Sequence, residues 1–232
     1  MLAGKLARRS ARARRSPTGE PGASPPLEQP RWPLLSSLAE TMATDEIERW
    51  SPFKVWLYSL LNRHPKSNHA AVELASLSGR DRFLDVGCGL GAALEQAVAC
   101  GAEVAGVDPS PSMVAWASRR VPEADVRVGS AEEIPFPDHH FTVVINVSSF
   151  HHWADKEAGL KEILRVLAPG GRLHIVEGAL RKKNGHGLNS DSAQELAGRL
   201  LELGYAETKV DSMKPGWWHR YMVVTGIATS RT

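Results

Sequence analysis

Between residues 82 and 177 short apolar runs alternate with helical stretches, and this rhythm leaves few folds open. Strands are predicted over Arg82–Val86, Glu103–Val107, Asp125–Val128, Phe141–Val147 and Arg172–Glu177. Helices are predicted over Leu90–Ala99, Pro111–Arg120 and Lys156–Leu167. Alternation of this kind builds βαβ units, whose right-handed crossovers lay helices on both faces of a parallel sheet. The predicted class is therefore α/β and doubly wound. Further on, "DSAQELAGRLLELG" reads as a helix and "YAETKVDSM" as a strand. A turn at "KPG" then leads into the strand "RYMVVTGIA". Two strands joined by a short turn predict an antiparallel pair at the edge of the sheet.

The segments ahead of this core differ in kind. Residues 1–41 are Arg-rich and then rich in Pro, Gly and Ser, without apolar periodicity, and are expected to be disordered. They hold seven basic and three acidic residues, a net +4. The remaining 21 basic and 23 acidic residues give −2, so the folded part is mildly acidic and argues against a nucleic-acid partner. An organelle transit peptide, a basic arm, and an upstream extension before a second start at Met42 all suit this tail. Residues 42–65 are expected to form a lid helix, with Ile47, Trp50, Phe53, Trp56, Leu57 and Leu60 near helical spacing and Pro65 ending it. "NHAAVELASLSG" predicts a second short helix closed by Gly79. No run approaches the ~18 apolar residues of a membrane span. Two cysteines make no disulfide framework, so a reducing cytoplasm is the expected location. Cys88 reads as a small residue that fits its loop, since no metal or redox spacing accompanies it.

The junction "FLDVGCGLGAALE", where a strand passes through glycines into a helix, carries the first chemical signal. Gly87, Gly89 and Ala92 satisfy the dinucleotide pattern G-x-G-x-x-G/A, and Asp108 follows Gly89 by 19 residues at the next strand's end. On that spacing alone a nicotinamide dehydrogenase is a fair reading. Asp85 tips the balance. It lies two residues before the first glycine, where a pyrophosphate would otherwise meet the loop amides and the helix N-terminus. Like charges ~4 Å apart at an effective dielectric near 20 cost on the order of 4 kcal/mol. S-adenosylmethionine reverses the sign, since it has no phosphate, an ammonium, a sulfonium and a ribose. Asp85 suits its cationic methionine end and Asp108 its ribose hydroxyls, while the glycines let the backbone approach closely.

"LDVGCGLG", "GVDPSPSMVAWA", "VGSAEEIPFPDHHFTVVI", "SSFHHW" and "LKEILRVLAPGGRLHIVE" together resemble the successive motifs of class I S-adenosylmethionine-dependent methyltransferases. They are most similar to the small-molecule group that includes the ubiquinone and menaquinone C-methyltransferases. The resemblance spans about residues 66–228 and makes 66–232 the expected methyltransferase domain. It implies a Rossmann-like, seven-stranded, mostly parallel sheet with an antiparallel last strand. It also implies cofactor contacts from Asp85, Gly87, Gly89 and Gly91, and from Asp108, Pro109, Ser110 and Met113. Ser130 and Ala131 match the loop that reads the adenine edge, with Ser130 standing where many relatives have Asp. Asn146 falls beside the methionine moiety. Thr142 replaces the usual aspartate at the start of that strand, a change expected to affect only local structure.

Methyl transfer is an in-line displacement, in which the enzyme aligns the reactants and excludes water. A base is needed only if the acceptor must lose a proton. His151 and His152, after the fourth strand, stand where the acceptor approaches and are the candidate catalytic residues. No metal site is expected of them, because two adjacent histidines lack accompanying Cys or acidic ligands. The acceptor pocket is expected from the 42–65 helix, "ALRKKNGHGLNS" (with Lys182, Lys183 and His186) and "GWWHRY". Their aromatics suit an apolar or aromatic small molecule. An RNA or protein methyltransferase, an NAD-dependent oxidoreductase and a non-catalytic S-adenosylmethionine-binding module remain alternatives. The segment "NVSSFHH" lacks the N-P-P-Y/D-P-P-Y pattern of base-amino methylation. The acceptor atom and the oligomeric state are not specified by the sequence.

Overall fold

A computed structural model describes residues 66–180, 187–215 and 219–230. The expected tail and lid helix, and the loop residues Lys182, Lys183, His186, Trp217 and Trp218, lie outside the described residues. In chain order the elements are α1 (Lys66–Ala75), β1 (Arg82–Val86), α2 (Ala92–Ala99), β2 (Glu103–Asp108), α3 (Pro111–Arg120) and β3 (Asp125–Val128). They continue with β4 (Phe141–Val147), a 3-10 turn (Phe150–His152), α4 (Lys156–Val166), β5 (Leu167–Gly178), α5 (Ser190–Glu202), β6 (Tyr205–Met213) and β7 (Tyr221–Ala228).

The seven strands form one sheet in the order β3-β2-β1-β4-β5-β7-β6. All pairings from β3 to β5 are parallel, and β7 runs antiparallel to both β5 and β6. The predicted antiparallel pair is present, but its later strand lies inside, and β6 forms the edge. The order reverses between β1 and β4, and ligands of doubly wound sheets bind at such a switch point, beyond the carboxyl ends of the strands.

Alternating side chains divide the core into two layers. Leu84, Val86, Val144, Leu173 and Ile175 pack with Leu160 and Ile163 of α4 and Leu196 and Leu200 of α5. Phe83, Val104, Val143, Ile145 and Val176 face Val72 of α1 and Leu94 of α2. Cover on both faces explains why β1, β2 and β4 are nearly continuous apolar runs rather than alternating ones.

Three boundaries differ from the sequence expectation. Helix α2 starts at Ala92, not Leu90, because Gly91 is its N-cap in the left-handed region. Helix α1 ends at Ala75, with Ser76 at φ 50°, so Gly79 does not close it. Strand β5 begins at Leu167, which pairs with Phe141 before a register shift that brings Arg172 opposite Val143. The glycines at 170 and 171 are thus part of an irregular strand, although they read as a loop.

Candidate active site

The residues singled out in the sequence gather at the carboxyl ends of β1 to β4. Asp85 is the penultimate residue of β1, on the side of the strand shared with Phe83, and is 2% exposed. The chain then turns sharply, with Gly87 and Cys88 both donating their N–H to Val107 O at 2.8 and 3.0 Å. This turn places Gly87 at φ 79°, where a Cβ would collide with Ser149. Gly89, at φ 50°, faces open space, with no atom within 4 Å of where its Cβ would be.

Asp108 ends β2 and is also buried. Its two carboxylate oxygens accept from Gly89 N and Ser110 N, each at 2.9 Å, tying the glycine loop to the next connection. Ser110 caps α3, accepting from Met113 N, and Pro111 supplies the first helical residue with no N–H to satisfy. Pro109 is partly buried, and Met113 packs with Leu90 and Trp116 along the outer wall of the loop. Ser130 and Ala131 follow β3, Ala131 being buried and Ser130 bonding Glu132.

Desolvation dominates the electrostatics of these acids. Burial pushes the Asp85 carboxyl up to about 8, and the nearby Asp108 charge adds to the rise. Asp108 is also raised by burial, against the pull of its two amide donors. Burial raises the Cys88 thiol well above its ordinary value, as do both carboxylates, which makes it a poor nucleophile. Asp85 Oδ1 is buried without a hydrogen-bond partner among the described residues. Such a group is costly unless something arrives to pair it.

At β4, Asn146 Nδ2 donates to Val86 O at 2.8 Å and to Ser149 Oγ, and Ser149 Oγ donates to Val86 O at 3.1 Å. Asn146 Oδ1 is a second buried atom without a hydrogen-bond partner among the described residues. Ser148, exposed at φ 54°, donates its N–H to Val176 O, and Ser149 then caps the 3-10 turn that carries both histidines. His151 is partly buried and His152 exposed, with ring centroids 3.9 Å apart. His151 Nδ1 lies 2.9 Å from Oε2 of Glu177, at the end of β5. Sequence reasoning missed Glu177 and Ser149. A polar residue at the carboxyl end of a central parallel strand was the available signal for Glu177; a serine in a loop offered none. Thr142 has a local role, donating to Asp81 Oδ1 at 2.8 Å and accepting from Arg82 N at 3.0 Å.

A separate crevice of about 330 Å³ lies at the opposite ends of β2 and β3. Arg127 pairs with Asp125 there and His140 Nε2 lies 3.6 Å from Glu103 Oε1, and the crevice shares no residue with the site above. Among the described residues no helix is long and apolar enough to cross a membrane.

Comparison with known proteins gives a consistent picture. Residues 84–175 match the family described as a methyltransferase domain. The chain is 38% identical over 143 residues to a demethylmenaquinone methyltransferase of Thermus thermophilus, covering 56% of this chain and 65% of that protein, just under two thirds of its length. It is 32% identical over 122 residues to the uncharacterized methyltransferase YdaC of Bacillus subtilis, covering 51% of this chain and 67% of the relative. Its fold is similar to the crystal structure of a SAM-dependent methyltransferase from Aquifex aeolicus, at a TM-score of 0.59 and 19% identity. That match covers 78% of this chain and all of the other.

Proposed function

We propose, from the premise that this chain belongs to the class I S-adenosylmethionine-dependent methyltransferase family, that it transfers a methyl group to a small, apolar or aromatic acceptor. The observation that carries this reading is a carboxylate oxygen of Asp85 with no partner among the described residues, buried beside a glycine loop that leaves open space at Gly89. These residues fit a cationic ligand without phosphate, and a pyrophosphate in the same place would meet Asp85.

Asp85 would face the ammonium of S-adenosylmethionine and Asp108 its ribose hydroxyls, with the Gly87–Gly91 backbone beneath. Met113 and Ser130–Ala131 would flank the adenine, and Asn146 Oδ1 offers an acceptor near the methionine end. When bound, S-adenosylmethionine supplies a methyl group activated by attachment to a positively charged sulfur. The chain's own task is to hold the acceptor in line and keep water out. His151 and His152 stand on the acceptor side, and His151 is held by the Glu177 carboxylate. An aromatic acceptor finds support in the similarity to the demethylmenaquinone methyltransferase of Thermus thermophilus. Location in the cytoplasm accords with the sparse, unpaired cysteines.

Calorimetric titration with S-adenosylhomocysteine and with NAD tests the cofactor, and incubation with methyl-labelled S-adenosylmethionine and a metabolite extract tests transfer. Binding of S-adenosylhomocysteine with label appearing in a small molecule is expected. Binding of NAD alone would overturn the reading, label in RNA or protein would move the acceptor class, and binding without transfer would leave a binding module.

A further inference from the structure

We infer that Ser149 is a positioning residue that locks the Asn146 side-chain amide with its oxygen outward, and that this oxygen receives the ammonium of the bound cofactor. This rests on the cofactor reading proposed above and deepens it.

Asn146 is the penultimate residue of β4 and is 0% exposed, on the side of the sheet it shares with Val144 and Val86. A primary amide brings two N–H donors and one acceptor oxygen, and burying any of them unpaired is costly. Both donors are spent inside the protein, since Nδ2 donates to Val86 O at 2.8 Å and to Ser149 Oγ. Oδ1 has no partner among the described residues. An apolar side chain of similar size would fill this position without that cost. The open acceptor therefore points to a ligand that supplies a donor.

Ser149 fixes which way the amide faces. Its single proton goes to Val86 O at 3.1 Å, so toward Asn146 its oxygen can only accept. Val86 O thus receives two bonds, which use both its lone pairs. Turning the amide over would set Oδ1 against Val86 O, which has no proton to give. It could recover a bond from Ser149 only by taking the serine proton from that carbonyl. The serine reaches this place because Gly87 has no side chain: Ser149 Cβ lies 2.7 Å from where a Cβ at Gly87 would stand. Val86, Asn146 and Ser149 form a closed triangle that joins β1, β4 and the turn after β4. It turns its donors inward and presents one acceptor outward.

An outward acceptor selects a donor. At the methionine end of S-adenosylmethionine only the ammonium has hydrogens to give, and the carboxylate would be repelled. Asp85 and Asn146 lie on opposite sides of the sheet, so their open oxygens approach the switch point between β1 and β4 from either side. An ammonium with three N–H groups suits two such acceptors, and the pair sets which way round the amino-acid end lies.

Calorimetric titration compares S-adenosylhomocysteine with its deamino analogue, which keeps the carboxylate and lacks only the ammonium. The proteins are the parent, Ser149→Ala, Asn146→Ala and the double variant. Asn146→Ala should weaken S-adenosylhomocysteine by roughly 10- to 100-fold and Ser149→Ala by about 5- to 10-fold. The double variant should match Asn146→Ala within about twofold, because Ser149 acts through Asn146. Affinity for the deamino analogue should stay within about twofold throughout, whereas a merely structural role would move both ligands alike. Without ligand, the Asn146 side-chain NH₂ should exchange slowly in the parent and faster in Ser149→Ala by ¹⁵N NMR. Equal weakening of both ligands in Ser149→Ala, additive losses in the double variant, or unchanged S-adenosylhomocysteine affinity in Asn146→Ala would overturn the inference. A parent with the slow NH₂ exchange that binds no S-adenosylhomocysteine would instead remove the cofactor reading, and the inference with it.

Discussion

Replacing Asp85 with asparagine removes a carboxyl that folding takes almost wholly out of water. Burial, and then the neighbouring Asp108, raises its pKa from 3.8 to about 8. Below 3.8 the folded and unfolded chains both hold the proton, and the group imposes no penalty. Between the two values the folded protein keeps a proton that the unfolded chain has released, so stability falls as pH rises. Above about 8 the penalty is complete. At about 1.4 kcal/mol per pH unit, it amounts to on the order of 5 kcal/mol. Asparagine has nearly the same shape and does not ionise. Asp85→Asn should therefore unfold at higher urea than the parent at pH 8, with the gap closing toward pH 4. His174, held by burial and then Arg172 at about 4, also titrates here, but it is common to both proteins and cancels in the difference. The stability gain should accompany weaker S-adenosylhomocysteine binding. Loss of a charge-assisted contact worth about 1.5–3 kcal/mol corresponds to roughly 10- to 100-fold. Urea unfolding of both proteins across this pH range is the assay. A stability difference that does not vary with pH refutes the reasoning.

The two loop glycines should respond in opposite ways. Gly87→Ala drives a Cβ into Ser149 and should cost about 2–4 kcal/mol in urea unfolding. Gly89→Ala meets no protein atom and should cost only about 1–2 kcal/mol for its left-handed backbone, yet weaken S-adenosylhomocysteine at least about tenfold in calorimetry, because the methyl enters the open space. Asp108→Asn leaves one oxygen to serve the Gly89 and Ser110 amides and should weaken the same ligand about tenfold or more; unchanged affinity would remove Asp108 from the ribose. Tyr205→Phe deletes a hydroxyl that donates to Leu160 O at 3.1 Å and should cost about 1 kcal/mol of stability, with ligand affinity unaltered.

What the sequence disclosed and what it hid follow a physical division. Strands β1 to β4 were legible because short apolar or Val-containing runs bounded by Gly, Pro and Asp are local signals. Strand β5 was cut short, since Ala168-Pro169-Gly170-Gly171 carries turn chemistry that only pairing with β4 overrides. Asp85 could be placed at the mouth of the sheet from its distance to the first glycine, but its orphaned oxygen depends on what surrounds it in space. His151 and Glu177 stand 26 residues apart on different elements, and nothing local in "LHIVEG" announces a partner. Ser149 carries no local signal either. Its bond to Val86 O, across 63 residues, exists only once β4 lies beside β1.

The position of β7 between β5 and β6 has a consequence for biosynthesis. Strand β6 reaches the sheet only through a strand that follows it in the chain. As the polypeptide emerges from the ribosome, β5 is complete but presents a bare edge, and β6 leaves the tunnel with no strand to pair with. Tyr221–Ala228 then closes both gaps at once, pairing with Arg172–Gly178 on one side and Tyr205–Met213 on the other. The last strand acts as the keystone, and a chain stalled or cleaved before it is made would carry β5, α5 and β6 as an unfinished, adhesive surface for chaperones to hold.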